Sequence, residues 1–153
     1  MLYNRKKIIG GAIMYNALDV AKYILQNSTK GLSNLELQKT LYFSEINYIK
    51  KYKKHLINDD FEAWQFGPVV RKVYYEYRFY GANSIDKPQE PILIDNDAKE
   101  ILDKTIEECN KKSYWKLVEE SHKKDGAWEQ CFNKDVKKTI PKEKIKQEAL
   151  NER

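Results

Sequence analysis

A chain of 153 residues has the size of one domain, and its content of 41% hydrophobic and 12% aromatic residues supplies a core, which excludes wholesale disorder. No apolar run approaches the roughly 20 residues that cross a hydrocarbon core, and 33% charged residues suit a water-facing surface, so the expectation is a cytoplasmic protein with no membrane partner. The net charge of +5 is carried at the ends: three bases and no acid in residues 1–13, seven bases against four acids in residues 134–153, and 18 bases against 19 acids between them.

Arg5, Lys6 and Lys7 followed by Ile8 and Ile9 imitate a secretory start, but the apolar stretch is too short and lacks a clean cleavage site. Residues 1–13 are therefore expected to be an N-terminal extension, with the domain proper over 14–133. Met14 to Gln26 reads as the first helix, with Asn16 as its cap and Leu18, Ala21, Ile24 and Leu25 on one stripe. Ser33 and Glu36 form a capping box that opens a helix running to about Lys54. Its apolar positions, Leu37 to Tyr52, cover about half of the circumference, so this helix should be central. Gln38 and Glu45 fall inside that arc; each must bond to irregular backbone or line a cleft. The basic run Lys50, Lys51, Lys53 and Lys54 sits at the helix end, where the dipole favours it.

Phe61 to Phe66 alternates as a short strand does, and Gly67 with Pro68 breaks it. Pro68 is placed to begin a helix reaching Tyr80, with Gly81 ending it. Val70, Val73, Tyr74, Tyr77 and Tyr80 form the inward stripe of that helix. Tyr75 and Phe79 project from the other side with Lys72 between them, which fits either a second packing layer or a surface that a partner covers. Asn83 to Ile94, interrupted by Pro88 and Pro91, reads as a loop. Asp95 or Asp97 caps a helix to about Asn110, Ser113 caps another to Lys123, and a short helical stretch carries Trp128, Cys131 and Phe132. Pro141 opens a charged terminal helix with Ile145, Ala149 and Leu150 as its seam, packing on the domain or extending from it. The sum is a mainly α bundle of about six helices with a short strand or hairpin near residues 57–66.

The inventory offers little chemistry. Cys109 and Cys131 lie 22 residues apart, and with His55 and His122 they make no paired metal-ligand spacing. Neither a phosphate-cradling Gly-rich loop nor a serine-hydrolase elbow occurs, so no cofactor, metal or catalytic residue is assigned. His122, predicted beside Trp115 and Val118 on one helix face, is either a satisfied core residue or an acid–base group with Glu45 as companion.

Three segments resemble one family. Leu37-Gln38-Lys39-Thr40-Leu41-Tyr42-Phe43 is similar to the LQKxLYF helix of the Panacea, or SocA-like, antitoxin domain. Glu62 to Val70 resembles its EAWxxGPVV segment, followed by Tyr74 and Tyr77, and Ser121-His122 with Ala127-Trp128 resembles its SHxxxxAW segment. The resemblance spans most of residues 16–132 and implies a mainly helical, non-enzymatic antitoxin from bacteria or their phages, encoded beside a cognate toxin and neutralising it by direct contact. Two alternatives are an adaptor that delivers the toxin to a ClpXP-type protease and a nucleic-acid-binding regulator, which the near-neutral body disfavours. The motif residues Gln38, Lys39, Tyr42, Trp64, Gly67, Pro68, Tyr74, His122 and Trp128 are read as holding the fold. Tyr75, Phe79 and Lys72 are read as the partner surface that occludes the toxin.

Overall fold

The computed structural model describes residues 6–9 and 12–151, with side chains from Met14 onward; residues 1–5, 10 and 11 of the expected N-terminal extension, and Glu152 and Arg153, lie outside the described residues. Strands β1 (Lys6–Ile9) and β2 (Ala12–Tyr15) pair antiparallel and lead into helix α1 (Ala17–Asn27). Asn16 caps α1 as expected, its Oδ1 accepting from the Leu18 amide at 2.9 Å. The helix does not begin at Met14: Met14 and Tyr15 are strand, because the Tyr15 backbone donates to Leu56 O and accepts from the Asn58 amide.

Helix α2 (Asn34–Tyr52) opens on a complete Ser33–Glu36 capping box and ends at Lys53 in the left-handed conformation. It is the axis of the molecule, packed against α1 and, further along the chain, α3 (Arg71–Glu76), α4 (Asn96–Asn110), α5 (Tyr114–Ser121) and α7 (Lys142–Asn151). That position explains why Leu37, Leu41, Tyr42 and Ile49 have no exposed surface. A short helix, α6 (Ala127–Cys131), packs between α7 and the sheet. Among the described residues the fold is mainly helical, with seven α-helices.

The hairpin is longer than the sequence suggests. β3 (Phe61–Trp64) turns over Gln65 and Phe66 into β4 (Gly67–Val69), in register Glu62 with Val69 and Trp64 with Gly67. Pro68 is therefore a strand residue rather than a helix start. β4 is an edge strand in the order β4-β3-β5, where a residue without an N–H is tolerated. The third strand, β5 (Lys138–Ile140), pairs with β3 and precedes α7, an element that the expected terminal helix did not include. The helix after the hairpin is also shorter: α3 covers Arg71–Glu76, and Arg78–Tyr80 is a 3-10 turn closed by Gly81 at φ +58°.

Asp95, not Asp97, caps α4, accepting from the Ala98 amide at 2.9 Å. α5 stops at Ser121 rather than Lys123. The 83–94 segment is irregular as expected, but Ile85 and Ile94 anchor it in the core. On α7, Ile145 and Ala149 are buried, while Leu150 is exposed and leaves the seam narrower than expected.

Candidate functional site

The two polar residues inside the α2 arc are spent on backbone. Gln38 accepts from the Val70 amide at 2.9 Å, fixing the entry to α3. Glu45 Oε1 accepts from the Leu56 and Ile57 amides at 2.7 and 3.3 Å, and its Oε2 lies 3.3 Å from His55 Nδ1. Glu45 thus serves the loop that pairs with Tyr15, and the pairing of Glu45 with His122 is not formed.

The other motif residues converge beneath the hairpin. Lys39 is fully buried, and its Nζ reaches the Pro68 carbonyl at a long 3.5 Å. Burial pushes its pKa down to about 7. Gly67, at φ +118°, lies directly above: a Cβ there would stand 2.6 Å from Ser121 Oγ and 2.7 Å from Lys39 Cε, so both backbone and space demand glycine. His122 stacks on Trp128 at 3.6 Å with the rings nearly parallel. Burial, and then the Lys39 charge, hold its imidazole below the usual histidine range, and its Nε2 has no hydrogen-bond partner among the described residues. His122 therefore follows α5 as a packed ring, and Trp115, expected beside it in the core, is exposed.

Three hydrogen bonds lock this junction. Trp128 Nε1 donates to the Trp64 carbonyl at 2.7 Å, and Glu148 of α7 accepts from the Tyr42 hydroxyl at 3.1 Å and from the Ala127 amide at 2.8 Å. The three motif segments thus meet in space through residues scattered across α2, the hairpin and α6. Glu148 lies outside all three; a single charged residue in a thin seam carries no sequence signal for this role.

Trp64 connects the junction to the surface. Its indole N–H donates to Glu62 Oε1 at 2.9 Å, and its ring meets the half-buried Tyr74 at 4.9 Å. The same Glu62 carboxylate receives Arg71 in a fork at 2.8 and 3.0 Å. Burial pushes the Glu62 carboxyl upward, but donation from Arg71 and Trp64 outweighs it and holds the group below the usual carboxylate range.

Beyond Trp64 the outward face of α3 and of the 3-10 turn after it is open. Tyr75 is 45% exposed and Phe79 87% exposed, which places both on the surface as expected. Lys72 is exposed on α3, but the cations that touch the rings are Arg71 and Arg78. The four-residue spacing of Arg71 and Tyr75 is a helical one that the sequence carries, whereas Arg78 belongs to the 3-10 turn and Lys137, whose Nζ lies over the Trp64 ring, comes from a distant segment. Among the described residues no group of three His, Cys, Asp or Glu is placed to hold a metal ion, and no helix is long and apolar enough to cross a membrane.

Comparison with known proteins bears on this arrangement. The family described as Antitoxin SocA-like, Panacea domain, matches residues 37–129, more than half of the chain and all three motif segments. Antitoxin SocA of Caulobacter vibrioides (strain NA1000 / CB15N) is 31% identical over 117 residues, which cover 67% of this chain. The chain spans 61% of the length of that relative. No solved structure matches.

Proposed function

The chain belongs to the SocA-like antitoxin family defined by the Panacea domain, and from that premise we propose that it is an antitoxin that neutralises a cognate toxin, encoded beside it, by direct binding. The proposed mode is occlusion: the α3 face lies over the toxin's active site or its route to substrate. The observation that carries this reading is the pairing of a family core with an exposed aromatic face. Lys39, Gly67, His122 and Trp128 are packed inward, and Tyr75 and Phe79 are exposed to solvent. Large aromatics supply much of the binding energy at protein interfaces, so a face that exposes two is suited to contact rather than to turnover.

A non-enzymatic role is part of the proposal. Glu45 and His122, the pair that would have served acid–base chemistry, are committed to different tasks in different places. Growth of cells expressing the adjacent gene product, with and without this protein, tests the reading. Rescue is expected from the wild type. The Tyr75→Ala, Phe79→Ala double variant should keep its circular dichroism spectrum and melting point yet bind the toxin about 30-fold more weakly, the scale of losing one or two interface anchors. Full rescue by that folded variant would remove this face from the mechanism. Toxin that is degraded only when this protein and a ClpXP-type protease are both present would replace occlusion by delivery.

A further inference from the structure

The outward face is more ordered than two exposed rings. Lys137 Nζ lies 4.1 Å from the centre of the Trp64 ring. The Arg71 guanidinium lies 5.7 Å from the same ring and 5.9 Å from Tyr75. Arg78 follows at 5.7 Å from Tyr75 and 4.5 Å from Phe79. Cation and ring alternate from the loop before β5, across the hairpin, to the 3-10 turn after α3. The contacts on Tyr75 and Phe79 lie outside the core, since both rings are exposed.

Charge decides what such a ladder fits. Arg71 has Glu62 as its partner, whereas among the described residues Lys72, Arg78 and Lys137 form no ion pair. Lys137 acts on Glu62 only at a distance. Arg78 Nη1 donates to the Tyr75 carbonyl at 2.8 Å, which leaves the Nε and Nη2 side of the guanidinium to match a carboxylate in two parallel hydrogen bonds. At the Lys137 end the ladder meets a groove of about 560 Å³ whose walls include Trp64, Phe132 and Val136, apolar surface for a side chain between the charges.

Resting on the antitoxin reading, we propose that this ladder seats an acidic segment of the toxin polypeptide, its carboxylates meeting Arg78 and Lys137 and an apolar side chain entering the groove. A nucleic acid fits the face less well. Glu62 beside Arg71 and Asp135 in the groove wall interrupt its positive charge, which discrete carboxylates can thread between and a continuous phosphate backbone cannot.

Titration calorimetry of the full chain against the adjacent gene product, at about 50 and about 300 mM salt, tests the proposal. The wild type should bind about tenfold more weakly at the higher salt. The Arg78→Glu, Lys137→Glu double variant, with its melting point checked, should lose about 100-fold at low salt and most of the salt dependence. The neutral Arg78→Gln, Lys137→Gln pair should fall between and serves if the reversal unfolds the chain. Lys99→Glu with Lys104→Glu, exposed on α4, should change neither quantity. Toxin binding unaltered by both ladder variants would overturn the acidic-segment assignment while leaving the antitoxin reading intact. A wild type that neither binds nor neutralises the toxin would defeat that reading, and this proposal with it. If a short fluorescent DNA duplex binds instead, and only that binding is lost in the variants, the occupant is a nucleic acid and the proposal is overturned.

Discussion

Lys39 carries its amine into a site with no surface and a single distant carbonyl, so its charged form is penalised. Burial brings its pKa from 10.5 to about 7, and the sign of the consequence follows. Below pH 7 both folded and unfolded chains hold the proton and the penalty is constant. Above pH 7 the folded chain gives it up while the unfolded chain keeps it, so stability rises with pH, by at most about 1.4 kcal/mol per unit. The useful window closes near pH 9, where the Cys109 thiol, raised by burial from 9.0 to about 11, works in the opposite direction. Lys39→Met should therefore be more stable than the wild type at pH 7, and the difference should shrink as pH rises toward 9. Urea midpoints at three pH values check this, and a gap that stays constant would mean that Lys39 is not desolvated as described. His122 adds an acid limb of the same sign: the unfolded chain takes up its proton near the ordinary 6.5 and the folded chain resists, so stability falls as the solution is acidified below that value.

Between elements, single side chains take the place of regular pairing. Glu45 reaches from α2 to two amides in the 56–57 loop, and that loop in turn holds the Tyr15 backbone at the end of β2. The Tyr15 hydroxyl then bonds the Asp95 carboxylate that caps α4. One buried acceptor thus supports the placement of β2 and, through it, the start of a distant helix. Glu45→Ala leaves both amides without their partner in the interior and should cost about 2–3 kcal/mol, with faster hydrogen exchange at Leu56, Ile57 and Tyr15. Glu45→Gln keeps an acceptor oxygen in place and should cost less. If exchange at those three amides is unchanged in the alanine variant, the loop is held by its own packing.

At the scale of the molecule, the C-terminal segment belongs structurally to the body it follows. β5 completes the sheet against β3, Ile140 and Ile145 are wholly buried, and Glu148 bonds Tyr42 and Ala127 at the motif junction. The expected division placed the domain at 14–133 with a charged helix after it. We propose instead that residues 134–151 are part of the folding unit. A chain ended at residue 133 exposes Phe61 and the Tyr42 ring, so it should lose the sharp thermal transition of the full chain and bind a hydrophobic dye. A truncated chain with an undiminished cooperative transition would restore the shorter domain.

The sequence by itself determined the capped starts of α1, α2 and α5, because capping and amphipathic stripes are local: Asn16, Ser33 and Ser113 each bond an amide two or three residues on. It also determined that α2 is central and that Tyr75 faces outward, since each follows from angles around one helix; Phe79 is exposed as well, but on a 3-10 turn beyond the end of α3. Tertiary structure alone decided the rest. Whether Pro68 starts a helix or ends a hairpin depends on Trp64 finding Gly67 across a turn and on β5 arriving from more than 70 residues away. The partner of Glu45, the burial of Lys39 beneath Pro68 and the cover of Lys137 on Trp64 are likewise contacts between segments far apart in the chain. Such contacts leave no period in the sequence, because their geometry is set by how the elements pack.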